Sequence, residues 1–195
     1  MIRKDAWLKV HGKAKYNDDG YPAACLQARL LTSVFAHAGI LSVDVSGAWA
    51  VPGVHAVVTG RESAVLTGPI LQDMPILAAE KVRYFGEPVA IVVADEEWQA
   101  AQAVKSIRVE YQPLPVVNTI EDALASNAPL VHPGLMQYAR TVPDVYPEEN
   151  TNIANRVKIR KGDIAQGWKD SAVVVEAEYR IPQASHAFLE TRNAR

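Results

Sequence analysis

The clearest hydrophobic pattern lies in the middle of the chain. Val89 to Ala94 is an unbroken apolar run, bounded by Gly86-Glu87-Pro88 before it and Asp95 after it. A run of that length between turn signals predicts a strand buried on both faces. Asp95 is placed to N-cap a helix running to about Ser106, with Glu96 and Glu97 in the first turn, where the helix dipole favours negative charge. Trp98 and Ala101 fall on one helical face, which is expected to meet the sheet. Ile107 to Tyr111 reads as the next strand, ended by Pro113 and Pro115. Strand, helix and strand in succession predict an α/β unit.

Weaker patterns flank this centre. Met1 to Tyr21 is polar, with a turn expected at Asn17-Asp18-Asp19-Gly20. Ala23 to Leu31 reads as a strand of mixed character, and Ile40 to Val45 alternates as a half-buried strand does. Ser46 is placed to cap one helical turn through Ala50, which Pro52-Gly53 stops. Val54 to Thr59 is a β-branched run. Arg61 to Gln72 has no period and is expected to be a loop with a short helix. Ile76 to Phe85 holds a short strand or two.

Thr119-Ile120-Glu121-Asp122 has the capping-box pattern and opens a short helix through Leu124. Asn127 to Asn155 is loop-like and is the expected linker, since five of the 12 prolines fall between Pro113 and Pro143. Lys158 to Ile181 predicts strand–turn–strand, with Ala172 to Ile181 the strongest β run near the end. Exposed strand edges recruit other chains, so homo-oligomerisation or swapping through this C-terminal strand is expected.

Composition narrows the function classes. The 195 residues are 49% hydrophobic and 22% charged, with a net charge of −2. That is globular composition, not disorder. There is no clustered basic excess to displace counterions from nucleic acid. No apolar run approaches the roughly 20 residues that span a bilayer, and the N-terminus lacks a secretory pattern, so a cytoplasmic protein is expected. One cysteine, Cys25, excludes an intrachain disulfide and an iron–sulfur cluster held by this chain alone.

Candidate chemistry is thin. His11, His37, His55, His132 and His186 do not pair at a metal-ligand spacing. Cys25 lies in an apolar setting and reads as a small core residue. Ser33, Ser46 and Ser185 suit turns and caps, and neither a nucleophile elbow nor a phosphate-binding glycine loop is present. Gly86-Glu87-Pro88 reads as a turn. Paired carboxylates at Asp18-Asp19, Glu96-Glu97, Glu121-Asp122 and Glu148-Glu149 suit helix starts and turns. Glu190, closing His186-Ala187-Phe188-Leu189, is the carboxylate with the best claim to burial, although an edge-strand position explains it as well. No catalytic, cofactor-binding or metal-binding residue is assigned to this chain.

Several blocks, in order, resemble the molybdenum-binding subunit of the xanthine dehydrogenase/aldehyde oxidase family. They are Gly12 to Asp19, Ser33 to Ile40, Pro52 to Gly60, Pro75 to Pro115, Thr119 to Leu124, Gly162-Asp163 with Ala172 to Glu176, and His186 to Thr191. Phe35 and Gly39 depart from the family pattern. The resemblance implies an α/β (α+β) fold: a hammerhead domain with a mixed sheet and packed helices, followed by the start of the molybdopterin-binding region. The domains it implies are 1–17 as an N-terminal extension, 18–125 as hammerhead, 126–141 as linker and 142–195 as an incomplete molybdopterin-binding domain.

The same resemblance implies an oxidoreductase. The family hydroxylates aldehydes, purines or N-heterocycles, or oxidises carbon monoxide, at a molybdopterin–molybdenum centre. Electrons leave through 2Fe–2S clusters to FAD, here expected on partner subunits. The family's glycine-rich loop, substrate-binding Arg and catalytic Glu lie beyond the position of Arg195. The chain is therefore expected to be a scaffold and interface fragment, inactive alone, from a separate large subunit without a fused iron–sulfur domain before it. The alternative is a standalone hammerhead binding or assembly module. A third reading, an independent enzyme, needs a cleft with perturbed pKa values.

Overall fold

The computed structural model describes residues 3–16, 19–20, 22, 24–182, 184–185 and 187. The expected turn at Asn17-Asp18 and the roles considered for His186 and Glu190 lie outside the described residues. In chain order the elements are α1 (Ala6–Val10), β1 (Gln27–Thr32), β2 (Ala38–Asp44), α2 (Ser46–Trp49), β3 (Val54–Thr59), β4 (Leu66–Thr67) and β5 (Met74–Pro75). There follow β6 (Lys81–Val82), β7 (Pro88–Ala94), α3 (Glu97–Ser106), β8 (Arg108–Pro113), α4 (Ile120–Leu124), a 3-10 turn at Leu135–Gln137, and α5 (Ile164–Asp170). The chain divides into two compact units, one of residues 26–158 and one of residues 1–25 with 159–195.

Unit 26–158 is built on two three-stranded sheets, ordered β1-β7-β3 and β6-β2-β8, with a β4-β5 ladder beside them. Among the described residues every ladder is antiparallel, where a mixed sheet was expected. The apolar run of β7 is the central strand of its sheet. Ile91 lies opposite Leu30 on one side and Val58 on the other. Because both edges of β7 are taken, the strand after the helix must join the other sheet, and β8 pairs with β2. The β7-α3-β8 succession is therefore not a parallel crossover within one sheet.

The two faces of β7 feed two cores. Ala90 and Val92 pack with Val57, Ala48 and Val51, and with Ala103 and Ile107 at the α3 side. Val89 packs with Ala38, Ile40, Ala78 and Val82. The helix face is Ala100, Ala103, Val104 and Ile107, spaced three and four apart. This corrects the expected Trp98–Ala101 face: Trp98 is 62% exposed. Small alanines let the helix backbone approach the sheet, a contact that an indole would hold apart.

Local capping also departs from expectation at two places. Glu96, not Asp95, is the N-cap of α3, and its N–H donates to Gln99 Oε1 at 2.9 Å. Asp95 instead takes His55 Nε2 at 2.7 Å. Ser46 is the first helical residue of α2 rather than its cap, and its N–H donates to Asp44 Oδ1 at 2.9 Å. Thr119 caps α4 as expected: Asp122 N–H donates to Thr119 Oγ1 at 3.0 Å, and Thr119 N–H to Asp122 Oδ2 at 3.2 Å. Arg61 to Gln72 contains strand β4 and no helix, because Leu66 and Thr67 pair with Pro75 and Met74.

The proline-rich segment after α4 is folded onto this unit. Leu135 and Val145 bury themselves with Leu71 in a third core. Asn152 fixes the segment, accepting the Val131 N–H at 2.9 Å and donating to the Pro129 carbonyl at 3.0 Å.

In the other unit, α1 stands in the stretch read only as polar with turn signals. Asp5 bonds Lys9 at 2.8 Å and Arg3 at 2.7 Å, and these cations hold its carboxyl down at about 2. Helix α5, N-capped by Asp163, occupies the interruption foreseen within Lys158 to Ile181. The strands expected on either side of it carry no ladder among the described residues. A β run needs a neighbouring strand for its amides and carbonyls, and the sequence pattern does not supply one.

Candidate docking surface

Two loops of unit 26–158 are tied together at the ends of the sheets. One joins β1 to β2 through Ser33–His37, and the other joins β6 to β7 through Arg83–Glu87. The Ser33 N–H donates to the Glu87 carbonyl at 2.9 Å, and the Gly86 N–H returns to the Ser33 carbonyl at 2.9 Å. Glu87 N–H closes a turn onto the Tyr84 carbonyl at 3.2 Å. That turn needs Gly86 at φ +87°, a conformation glycine adopts without a Cβ clash. Ser33 Oγ completes the first loop by donating to the Phe35 carbonyl at 2.9 Å.

Glu87 sits beneath this junction and is 2% exposed. Its carboxylate accepts the Arg83 N–H, and the Tyr84 amide also faces it. Burial pushes its pKa up, and those amides together with the Arg83 charge oppose the rise. The expected plain turn at Gly86-Glu87-Pro88 is thus a turn built over a buried carboxylate. Sequence reasoning passed over Glu87. The available signal was a lone acid at the mouth of an otherwise apolar strand.

The loops present apolar groups outward. Phe85 is 71% exposed and Val34 69%, with half-exposed Tyr84 next to Phe85 in the chain. Arg83 donates from Nε to the Val131 carbonyl at 3.3 Å. Its charge acts on His132, which burial holds below its ordinary pKa and which stacks edge-on against Tyr138.

His37 is buried at the base of the first loop. Its Nδ1 contacts the Pro115 carbonyl, an acceptor only, so Nδ1 carries the proton. Nε2 is buried with no partner among the described residues. His55 Nε2 lies 2.7 Å from Asp95 Oδ1 at the surface, and His11 stacks on Trp7 at 4.3 Å. Within unit 26–158, His37, His55 and His132 form no metal-holding group.

Several of the remaining sequence candidates make local contacts. Cys25 is half-buried. Asp19 accepts the Tyr16 N–H at 2.7 Å, Glu97 pairs with Arg29 at 2.6 Å, and Glu148 binds Arg156 through two contacts. Among the described residues no three His, Cys, Asp or Glu side chains could hold a metal ion together. Hollows of about 100 and 190 Å³ flank Leu130, and another of about 380 Å³ is lined by Tyr146, Pro147, Glu148, Arg156 and Lys158. No helix among them is long and apolar enough to cross a membrane.

Known proteins share this geometry. Residues 11–115 match the model for the α/β hammerhead domain of aldehyde oxidase and xanthine dehydrogenase, and residues 145–195 match a molybdopterin cofactor-binding domain. A probable xanthine dehydrogenase subunit from Bacillus subtilis is 34% identical over 192 residues, covering 97% of this chain and 24% of the relative. The nicotinate dehydrogenase large molybdopterin subunit of Eubacterium barkeri is 30% identical over 194 residues, covering 97% and 41%. The structure of an aldehyde oxidoreductase from Desulfovibrio gigas superposes with a TM-score of 0.59 at 32% identity, over 74% of this chain and 17% of that one. The chain thus spans about a quarter of the Bacillus subtilis relative, although nearly all of the chain is matched. With a hammerhead match across more than half its length, the chain belongs to the aldehyde oxidase and xanthine dehydrogenase family.

Proposed function

We propose that this chain is the N-terminal part of the molybdenum subunit of a molybdenum hydroxylase, and that it serves there as scaffold and docking surface. The observation that carries this reading is the order of its two matches, hammerhead at 11–115 and molybdopterin-binding at 145–195, within a chain covering 24% of a dehydrogenase subunit. The domains proposed are 1–17 as an N-terminal extension, 18–125 as the hammerhead, 126–141 as a linker, and 142–195 as the opening of the cofactor-binding region.

In the whole protein a molybdopterin–molybdenum centre supplies the oxidative hydroxylation chemistry. Iron–sulfur and FAD groups on partner subunits would receive the electrons, in the cytoplasm. This chain's residues act by position. Glu87, Ser33 and Gly86 hold two loops in register, and those loops offer Val34, Tyr84 and Phe85 to a protein neighbour. Rigid exposed aromatics suit such an anchor because little side-chain entropy is lost on docking. The relatives' names span xanthine, nicotinate and aldehyde chemistry, so the hammerhead is read as common scaffold and not as the substrate filter.

The test begins with the coding DNA beyond the codon for Arg195. The 195-residue chain and the product of any longer open frame are then purified, and molybdenum content and turnover of aldehydes and N-heterocycles are measured. Molybdenum and turnover in the longer product, with neither in the 195-residue chain, are expected. A stop codon directly after Arg195 would favour the standalone module instead. Turnover by the short chain would overturn the scaffold reading.

A further inference from the structure

Residues 129–141 run along unit 26–158 without entering its two three-stranded sheets, and they are held at three places. At the near end Asn152 donates to the Pro129 carbonyl at 3.0 Å and accepts the Val131 N–H at 2.9 Å. At the far end Leu71 and Arg140 form an antiparallel bridge. There the Gln72 N–H donates to the Ala139 carbonyl at 2.9 Å, and the Thr141 N–H to the Ile70 carbonyl at 3.0 Å. Between the two ends lies the 3-10 turn Leu135–Gln137, whose Leu135 enters the core with Leu71 and Val145.

The middle of this segment carries a titratable group. His132 is half-buried, its Nδ1 lies 3.1 Å from the Tyr138 hydroxyl, and the two rings meet edge-on at 5.5 Å. Tyr138 in turn packs on the core of Leu71, Leu135 and Val145. His132 therefore joins the ends, being next to Val131 in the chain and, through Tyr138, next to Ala139. The charges that face it are unequal. Lys81 of β6 and Arg83 just after it act on the ring as cations, and Asp73, just before β5, acts as one acid. Glu149 borders the same hollow as His132. Arg83 is itself tied to the segment, because its Nε donates to the Val131 carbonyl at 3.3 Å. It cannot swing away from His132 without giving up that bond.

We infer that residues 129–141 are a strap latched to the β6–β7 loop at neutral pH and released by acid through His132. A neutral imidazole suits a half-buried site faced by two cations, and an imidazolium does not. The bond to Tyr138 survives protonation, since the hydroxyl can turn and accept. The latch is broken by charge instead. Burial, Arg83 and Lys81 outweigh Asp73 and keep the folded ring below its ordinary 6.5. Strap closure is therefore full above 6.5 and is lost as pH falls through the folded value. Opening frees Arg83 from Val131 and loosens the loop that carries Tyr84 and Phe85, which its bonds to Ser33 still hold. Every contact lies inside unit 26–158, so the latch stands apart from the molybdenum reading.

Amide hydrogen exchange of the 195-residue chain tests it, with each rate divided by the intrinsic rate at that pH. Between about pH 7.5 and about pH 5, protection at Gln72, Val131 and Thr141 should fall at least about threefold, while Val92 in β7 and Ala103 in α3 stay unchanged. His132→Gln should hold protection constant across that range. Two charge variants decide the case should His132→Gln fold poorly. Lys81→Gln removes a facing cation and should move release to lower pH. Asp73→Asn removes the facing acid and should move release to higher pH. Unchanged protection at Gln72, Val131 and Thr141 would overturn the inference. So would an equal loss in β7 and α3, which marks general loosening, or a loss that persists in His132→Gln. Charge variants that shift release in the same direction, or not at all, would overturn it as well.

Discussion

Replacing Glu87 separates the two things its carboxylate does. It accepts backbone N–H bonds at the loop junction, and it holds a charge in a site 2% exposed. Glu87→Ala removes the acceptor and leaves the Arg83 amide unpaired beneath the junction. A buried donor without a partner costs about 1–3 kcal/mol, and the space left by the side chain adds to that. The expected loss is about 2–3 kcal/mol, or roughly 5–10 °C in Tm for a chain of this size. Glu87→Gln keeps an acceptor oxygen and the volume but does not ionise.

The pH dependence has a definite sign. Burial raises the folded carboxyl above its ordinary value of 4.5, so the native state holds this proton more tightly than the unfolded chain does. The stability from that proton is fully present below 4.5 and is lost as pH rises through the folded pKa. Glu87→Gln should therefore match the parent at pH 4 within about 1 kcal/mol, since protonated Glu and Gln are both neutral acceptors. It should gain on the parent as pH rises to 7. Urea unfolding followed by the fluorescence of Trp49 and Trp98, both in this unit, gives the free energies at each pH. A Glu87→Ala protein within about 0.5 kcal/mol of the parent, the range of an ordinary surface substitution, would refute the structural role. A Gln variant that parallels the parent at every pH would refute the buried charge.

Three further substitutions test particular contacts. Ala103→Leu should cost about 1–3 kcal/mol by overfilling the fully buried α3–sheet contact, whereas Trp98→Ala should stay within about 0.5 kcal/mol by chemical denaturation; the opposite order would restore the Trp98 face to the sheet. Gly60→Ala should lower Tm by several degrees, because a Cβ there would lie 2.2 Å from the Ala78 carbonyl oxygen and both are backbone-fixed; an unchanged Tm would show that the loop yields. His132 is held below its ordinary 6.5 by burial, so its contribution is full above that pH and is lost as pH falls below it. His132→Gln should therefore flatten the decline in stability between about pH 7 and 5.5, and an unaltered decline would place the sensitive group elsewhere.

Local signals were legible where they were short-range and self-contained. The β-branched run fixed β3 at Val54–Thr59, and the Thr119–Asp122 pattern fixed both the start of α4 and its cap. The unbroken apolar run of β7 correctly implied a central strand with both faces in use. Several family blocks, in order, were enough to identify the hammerhead. These features depend on residues a few positions apart, and the sequence records such distances directly.

What the sequence left open depends on which distant segments meet. The face of α3 was decided by alanines that allow close approach to β7, and periodicity alone could not rank them against Trp98. Sheet pairing was decided by β1 and β3 occupying both edges of β7, which sent β8 to the other sheet. The junction of Ser33 with Glu87 joins residues far apart in the chain, so a turn motif concealed a buried carboxylate. The β pattern of Ala172 to Ile181 shows the opposite case. Its alternation is written in the sequence, but a strand exists only with a neighbour, and the described residues of this chain do not supply one.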